Sequence, residues 1–148
     1  MAPRRVIDFL RWAEAYHAKL AEFYERCEDE AARPEVKILM AYMARHQDAL
    51  RRIIEEYERD GSKALLDTWY KVSPAMNGLR DPDTSGIRPD MTVAEAIDWA
   101  LDLDRALTGM YEQLIRRAES ENLREMLVNL FNAERREEIQ LMRAEIPG

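Results

Sequence analysis

Apolar residues recur every three to four positions along four long stretches of the chain, the spacing that puts side chains on one face of an α-helix. The first stretch runs from about Pro3 to Ala32, with the stripe Val6, Leu10, Ala13, His17, Leu20, Tyr24 and Cys27. Pro3 suits a first helical turn, and Pro34 marks the break that follows. The second runs from about Pro34 to Asp60, with Val36, Leu39, Met43, His46, Leu50, Ile54 and Tyr57, and Gly61 is placed to close it. The third begins at Thr92, where Thr92-Val93-Ala94-Glu95 has the form of a capping box: hydroxyl and carboxylate satisfy free backbone amides reciprocally. Its stripe is Ile97, Ala100, Asp104, Leu107, Tyr111 and Leu114. The fourth runs from about Ser120 to Glu145, with Leu123, Leu127, Leu130, Glu134, Glu137 and Leu141.

The connections constrain how these helices pack. Tight joints around Arg33-Pro34 and near Ser120 predict two antiparallel helical hairpins. Between the hairpins lies a segment from about Ser62 to Met91, long enough for a crossover along the bundle. Within it, Ala64 to Tyr70 reads as a short helix, and Pro74 to Asp90 as irregular chain. A faint internal repeat relates the hairpins: Arg11-Trp12-Ala13 matches Asp98-Trp99-Ala100, and Tyr24 follows Trp12 at the distance at which Tyr111 follows Trp99. The expectation is one all-α domain over residues 1–148, a four-helix bundle of two related hairpins.

Composition narrows the function classes. Charged residues make up 34% of the 148 and apolar residues 47%, which suits amphipathic helices and not a disordered chain. The net charge of −7 repels a phosphate backbone, and Arg51-Arg52 and Arg135-Arg136 sit among acids, so a nucleic-acid partner is not expected. A single cysteine, Cys27, excludes an intrachain disulfide and a cysteine-rich metal site; it reads as a small buried hydrophobe. Asp8, Arg11 and Glu14 interrupt any signal-peptide core, and no uncharged stretch approaches a membrane span, so a cytoplasmic location without membrane association is expected.

Each apolar stripe is broken near its middle by groups able to bind a metal. These are His17, His46 with Gln47 beside it, Asp104, and the pair Glu134 and Glu137, which share one helix face at a spacing of three. Helices packed in register would bring them into one layer. Several carboxylates cannot all stay ionised in a dry core without a metal ion, bound protons or histidinium partners.

The hairpin from Glu22-Phe23-Tyr24 to Arg33-Pro34-Glu35-Val36-Lys37 resembles the rubrerythrin-type pattern of the ferritin-like superfamily, in which a Phe-Tyr pair precedes a Pro-Glu-Val-Lys turn. The resemblance covers both hairpins and not the crossover. It implies a bundle whose hairpins each offer a Glu seven residues before the Tyr, then a Glu-x-x-His on the next helix, together holding two iron or manganese ions. Carried over by position, Asp104 stands at the first Glu of the second hairpin, Glu134 at the next, and Glu137 replaces the His. In the first hairpin His17 replaces Glu, Gln47 replaces the second Glu and Leu50 the His, while His46 lies one position, about 100° of helix, from Gln47. A single ion held by His17, Asp104, Glu134 and Glu137 therefore fits better than a di-metal site. Such donors suit Fe(II), Mn(II) or Zn(II). The rubredoxin-like segment of rubrerythrins needs four cysteines and is excluded.

Two functions follow as expectations. One is a divergent metal site with iron, or O2- and peroxide-related, redox chemistry. The other is a metal-free bundle whose inner polar groups fix helix register, acting as a dimerisation or interaction module; a homodimer is expected in either case. Trp69 and Tyr70 could cover the bundle or form the dimer face. Tyr24 and Tyr111 read as core packing, and the eight methionines as core filler. Asp81-Pro82-Asp83-Thr84-Ser85-Gly86 looks like the start of a calcium loop, but Thr92 stands where a bidentate Glu is required and Pro89 interrupts, so it reads as a turn-rich loop.

Overall fold

A computed structural model describes residues 4–70 and 88–145, and the side chains of all of these except residues 4, 144 and 145. Four long helices dominate: α1 (Val6–Glu30), α2 (Pro34–Asp60), α4 (Val93–Arg117) and α5 (Glu121–Glu145); α3 (Lys63–Leu66) is a single turn. The helix boundaries follow local chemistry. Pro34 opens α2, where a missing amide hydrogen costs nothing. Thr92 and Glu95 form the complete capping box at the start of α4. The Ser120 hydroxyl accepts from the Leu123 amide at the start of α5. Gly61 does close α2, but at φ −63° and ψ 145°, an extended conformation that Ala31 shares at the end of α1.

The short-helix expectation for Ala64 to Tyr70 is only half met. Ser62 caps α3 through its hydroxyl, but the helix ends at Leu66. Trp69–Tyr70 (β2) instead pairs antiparallel with Arg4–Arg5 (β1), Arg4 opposite Tyr70 and Arg5 opposite Trp69. Val6 donates its amide to the Thr68 carbonyl, and Tyr70 meets Phe9 edge to face at 5.6 Å. Extended backbone lets the aromatic pair bridge the start of α1, which a continued helix would not. The calcium-like loop, residues 81–86, lies outside the described residues.

Contacts between helices fix their directions. Gln47 and Arg51 of α2 reach His17 and Glu14 of α1, so this pair is antiparallel. Phe23 stacks on Trp99 at 5.1 Å while Phe9 meets Tyr111 at 6.2 Å, so α1 and α4 are antiparallel too. Tyr42 with Gln140, and Tyr57 with Asn129, give the same relation for α2 and α5. It follows that α2 and α4 run in the same direction. The end of α2 therefore sits by the start of α1, whereas Pro89 bonds Ala32 at the opposite end of the bundle.

The core falls into two apolar clusters. One surrounds Leu20, Tyr24, Met40, Met43, Ile97 and Leu107. The other surrounds Phe9, Leu10, Ile54, Met110, Leu127 and Leu130. The residues between them along the helices are polar, and they form the site.

Candidate metal centre

His17, Gln47, Asp104, Glu134 and Glu137 are each no more than 1% exposed, although each carries a polar or ionisable group. Their place in the stripes explains the burial: the helical period that turns Leu10 and Leu20 inward turns His17 inward as well. On α2 the inward residue is Gln47, wholly buried, while His46 is 22% exposed at the edge of the layer.

His17 is held from both sides. Its Nδ1 is 2.6 Å from Gln47 Oε1, and its Nε2 is 3.1 Å from Glu134 Oε1. Because the amide oxygen only accepts, Nδ1 carries the hydrogen and Nε2 is left with the lone pair facing Glu134. Burial presses the His17 pKa down to about 4, the Gln47 bond opposing and His46 assisting. Burial, with Asp104 and Glu137 as repelling neighbours, pushes the Glu134 carboxyl well above its ordinary range. The contact is therefore a meeting of neutral groups and not an ion pair.

A second histidine–acid pair lies beside the first. His46 Nδ1 is 3.0 Å from Glu137 Oε2, which also accepts from the Tyr42 hydroxyl at 3.3 Å. Burial lowers His46 to about 4. Burial raises Glu137 to about 7, with the Tyr42 bond pulling the other way. Asp104 is pushed well above the carboxylate range by burial and then by Glu137 and Glu138. Both Asp104 oxygens, both Glu134 oxygens and Glu137 Oε1 lack a hydrogen-bond partner among the described residues. A buried carboxyl oxygen without a partner is expensive; Asp104 has no partner at all among the described residues, while Glu134 meets only His17, and Glu137 only His46 and Tyr42.

The donor set fits a hard or borderline divalent cation: carboxylates with free lone pairs beside imidazoles that are already neutral. The arrangement is not closed around one point. Among the described residues no three His, Cys, Asp or Glu side chains converge on a position that would hold a metal ion. Instead the layer holds two separate contacts, His17 with Glu134 and His46 with Glu137. Tyr42 and Gln140, which close the outer side of this layer, escaped sequence reasoning; both lie off the apolar stripes, and only packing of α2 on α5 brings them together.

No protein-family model matches the chain, and no curated protein matches it by sequence. Among solved structures it is similar to a Thermotoga maritima protein assigned provisionally as a ferritin-like diiron-carboxylate protein, whose crystal structure was determined at 2.30 Å. The TM-score is 0.63 at 16% identity, covering 97% of this chain and 95% of that one. The chain thus has a ferritin-like, all-α helical fold. Among the described residues no helix is long and apolar enough to cross a membrane.

Proposed function

We propose that the chain is a ferritin-like metal-binding protein that takes a divalent cation, iron, manganese or zinc, into its central polar layer. Asp104 and Glu134 would be its principal ligands, with Glu137 and His17 completing the set and His46 at the margin. The observation that carries this reading is the group of buried carboxyl oxygens on Asp104, Glu134 and Glu137 that have no hydrogen-bond partner among the described residues. A cation supplies the countercharge that these acids lack. A bound iron or manganese ion would bring one-electron chemistry toward dioxygen or peroxide. The protein's own part is to exclude water with its two apolar clusters and to release carboxyl protons as the cation arrives, the imidazoles having none to lose. The test is metal content after purification without chelator, with titration of Fe(II), Mn(II) and Zn(II) into the apoprotein. Near-stoichiometric binding lost in Glu134→Gln is expected; no binding by the unaltered chain would overturn the reading.

The second reading is a metal-free bundle that serves as a homodimerisation or interaction module. The two separate histidine–acid pairs favour it, because Glu134 and Glu137 each already have an imidazole beside them. On this reading the polar layer fixes helix register, and added metal leaves the thermal melt unchanged.

A further inference from the structure

We propose that a groove where the end of α2 meets α3 and the start of α5 binds a linear aliphatic polyamine, independently of the central polar layer. The groove has two lobes that share Tyr57 and Leu65, and each lobe joins apolar surface to carboxylates.

Local chemistry builds the groove. Gly61 ends α2 in so tight a turn that a Cβ there would lie 2.5 Å from the Tyr57 carbonyl oxygen and 3.3 Å from Leu66. The Ser62 hydroxyl then accepts from the Leu65 amide, and the capped turn sets Leu65 beside Tyr57 at 8% exposure. From α5, Asn129 donates to the Tyr57 hydroxyl at 3.0 Å and ties the two helices together. The first lobe, of about 370 Å³, runs over Ile53, Tyr57 and Leu65 and carries Glu56 and Asp60, one helical turn apart. The second, of about 250 Å³, has Leu65 and the buried Met126 beneath Asn122, Glu125 and Asn129.

The acids belong to separate lobes, and what the lobes share is Tyr57 and Leu65, so an apolar saddle divides two anionic ends. Among the described residues no Lys, Arg or His lines either lobe. Arg59 reaches Asp60 at 3.4 Å, but both side chains are more than 60% exposed and water screens the pair. Arg124 is turned to Glu121 and to the Ala118 carbonyl. The end of α2 adds the negative pole of its helix dipole. A polyamine complements this pattern, since its ammonium groups are separated by methylenes. One ammonium meets Glu56 or Asp60 and another meets Glu125, while the methylenes cover Leu65 and the Tyr57 ring. The Asn129 amide, whose nitrogen is spent on Tyr57, keeps its oxygen to accept an ammonium hydrogen. A hydrated inorganic cation matches the charge but gains nothing from the saddle, and a monoamine reaches one lobe only.

The experiment is an NMR titration of the full chain at low ionic strength with spermidine, butylamine and Mg(II). Spermidine should bind one to one and shift the side-chain amide signals of Asn122 and Asn129 and the backbone amide of Gly61. Its affinity should exceed that of butylamine about tenfold, the scale of two exposed ion pairs. Glu56→Gln and Glu125→Gln should each weaken spermidine about threefold, and the double variant should bring it down to butylamine. All of these changes lie at exposed positions, which keeps the variants folded. Glu22→Gln, an exposed position on α1, makes the same change of charge and should leave spermidine binding as it is. An equal loss in Glu22→Gln would reduce the effect to diffuse attraction by a chain of net charge −7 and overturn the site. Spermidine that binds no tighter than butylamine, or that Mg(II) displaces at equal charge, would overturn it too, and so would shifts that avoid Gly61, Asn122 and Asn129. None of these residues belongs to the central layer, so the outcome is separate from that of the metal titration.

Discussion

His17 Nε2 lies 3.1 Å from Glu134 Oε1, joining the first and last helices across the interior of the bundle at a point where both side chains are 1% exposed. The contact carries no net charge, because burial holds His17 deprotonated and pushes Glu134 toward its protonated form. An acid kept from ionising is a cost to the apoprotein whenever the unfolded chain would ionise it. Glu134→Gln keeps the shape and a donor toward His17 but removes that cost. The expected result is an apoprotein more stable at pH 8, on the order of 2 kcal/mol, with no gain at pH 4, where Glu134 is protonated folded or unfolded. Urea melts at the two pH values measure it. A loss of stability at pH 8 would show that the Glu134 carboxylate is a needed partner of His17.

Apoprotein stability should depend on pH with a maximum in the mildly acidic range. Glu137 rises from 4.5 to about 7 on folding, so the folded state keeps a proton that the unfolded chain loses, and stability falls as pH rises from 4.5 through 7. The full cost above that range is on the order of 3 kcal/mol. His17 and His46 fall from 6.5 to about 4, so the unfolded chain gains protons first, and stability falls as pH drops from 6.5 toward 4. Between 4.5 and 6.5 the two effects oppose one another. Thermal melts from pH 4 to pH 9 should show both limbs, and saturating Zn(II) should flatten the alkaline limb alone. An alkaline limb that persists with Zn(II) would argue against these acids as ligands.

Asp104→Asn should separate metal binding from folding. Neither Asp104 oxygen has a partner among the described residues, and its carboxyl is pushed well above its ordinary range by burial and by Glu137 and Glu138. The amide removes the ionisation cost and leaves a polar group buried. A small gain in apoprotein stability at pH 8, about 1 kcal/mol, is expected together with weaker metal binding. Isothermal titration and denaturant melts on the same sample test both parts.

Tyr24→Phe probes whether a buried hydroxyl serves the site. The ring is 0% exposed and packs edge to face on Trp99 at 6.0 Å, while the hydroxyl has no partner among the described residues. Removing an unsatisfied hydroxyl should stabilise the apoprotein by about 1 kcal/mol. A loss of similar size seen only in the metal-loaded protein would place the hydroxyl on a metal ligand.

Thr92→Ala should cost about 1 kcal/mol, because the Thr92 hydroxyl accepts from the Glu95 amide and the Glu95 carboxylate returns the bond to the Thr92 amide. An unchanged denaturation midpoint would mean that the start of α4 is held by packing alone.

What the sequence determined by itself is local or periodic. The capping residues Pro34, Thr92 and Ser120 mark helix starts because capping is a matter of three or four neighbouring residues. The apolar period identified the four long helices, and it placed His17, Asp104, Glu134 and Glu137 on their buried faces, since position on a helix fixes direction whatever its neighbours are. Tertiary structure decided the rest. His46 and Gln47 are one position apart and both border the stripe, so only the seating of α2 between α1 and α5 could turn Gln47 to His17 and leave His46 on the rim. Trp69 and Tyr70 have no strong local reason to leave a helix; pairing with Arg4 and Arg5, far away in sequence, gave their backbone another partner. For His17 the sequence left two partners open, Asp104 and Glu134, and packing chose Glu134; the His46–Glu137 pair was out of reach, because a stripe fixes how deep a side chain lies and not which neighbour it meets. That choice rests on interhelical distances of a few ångströms, set by the packing of all four helices together.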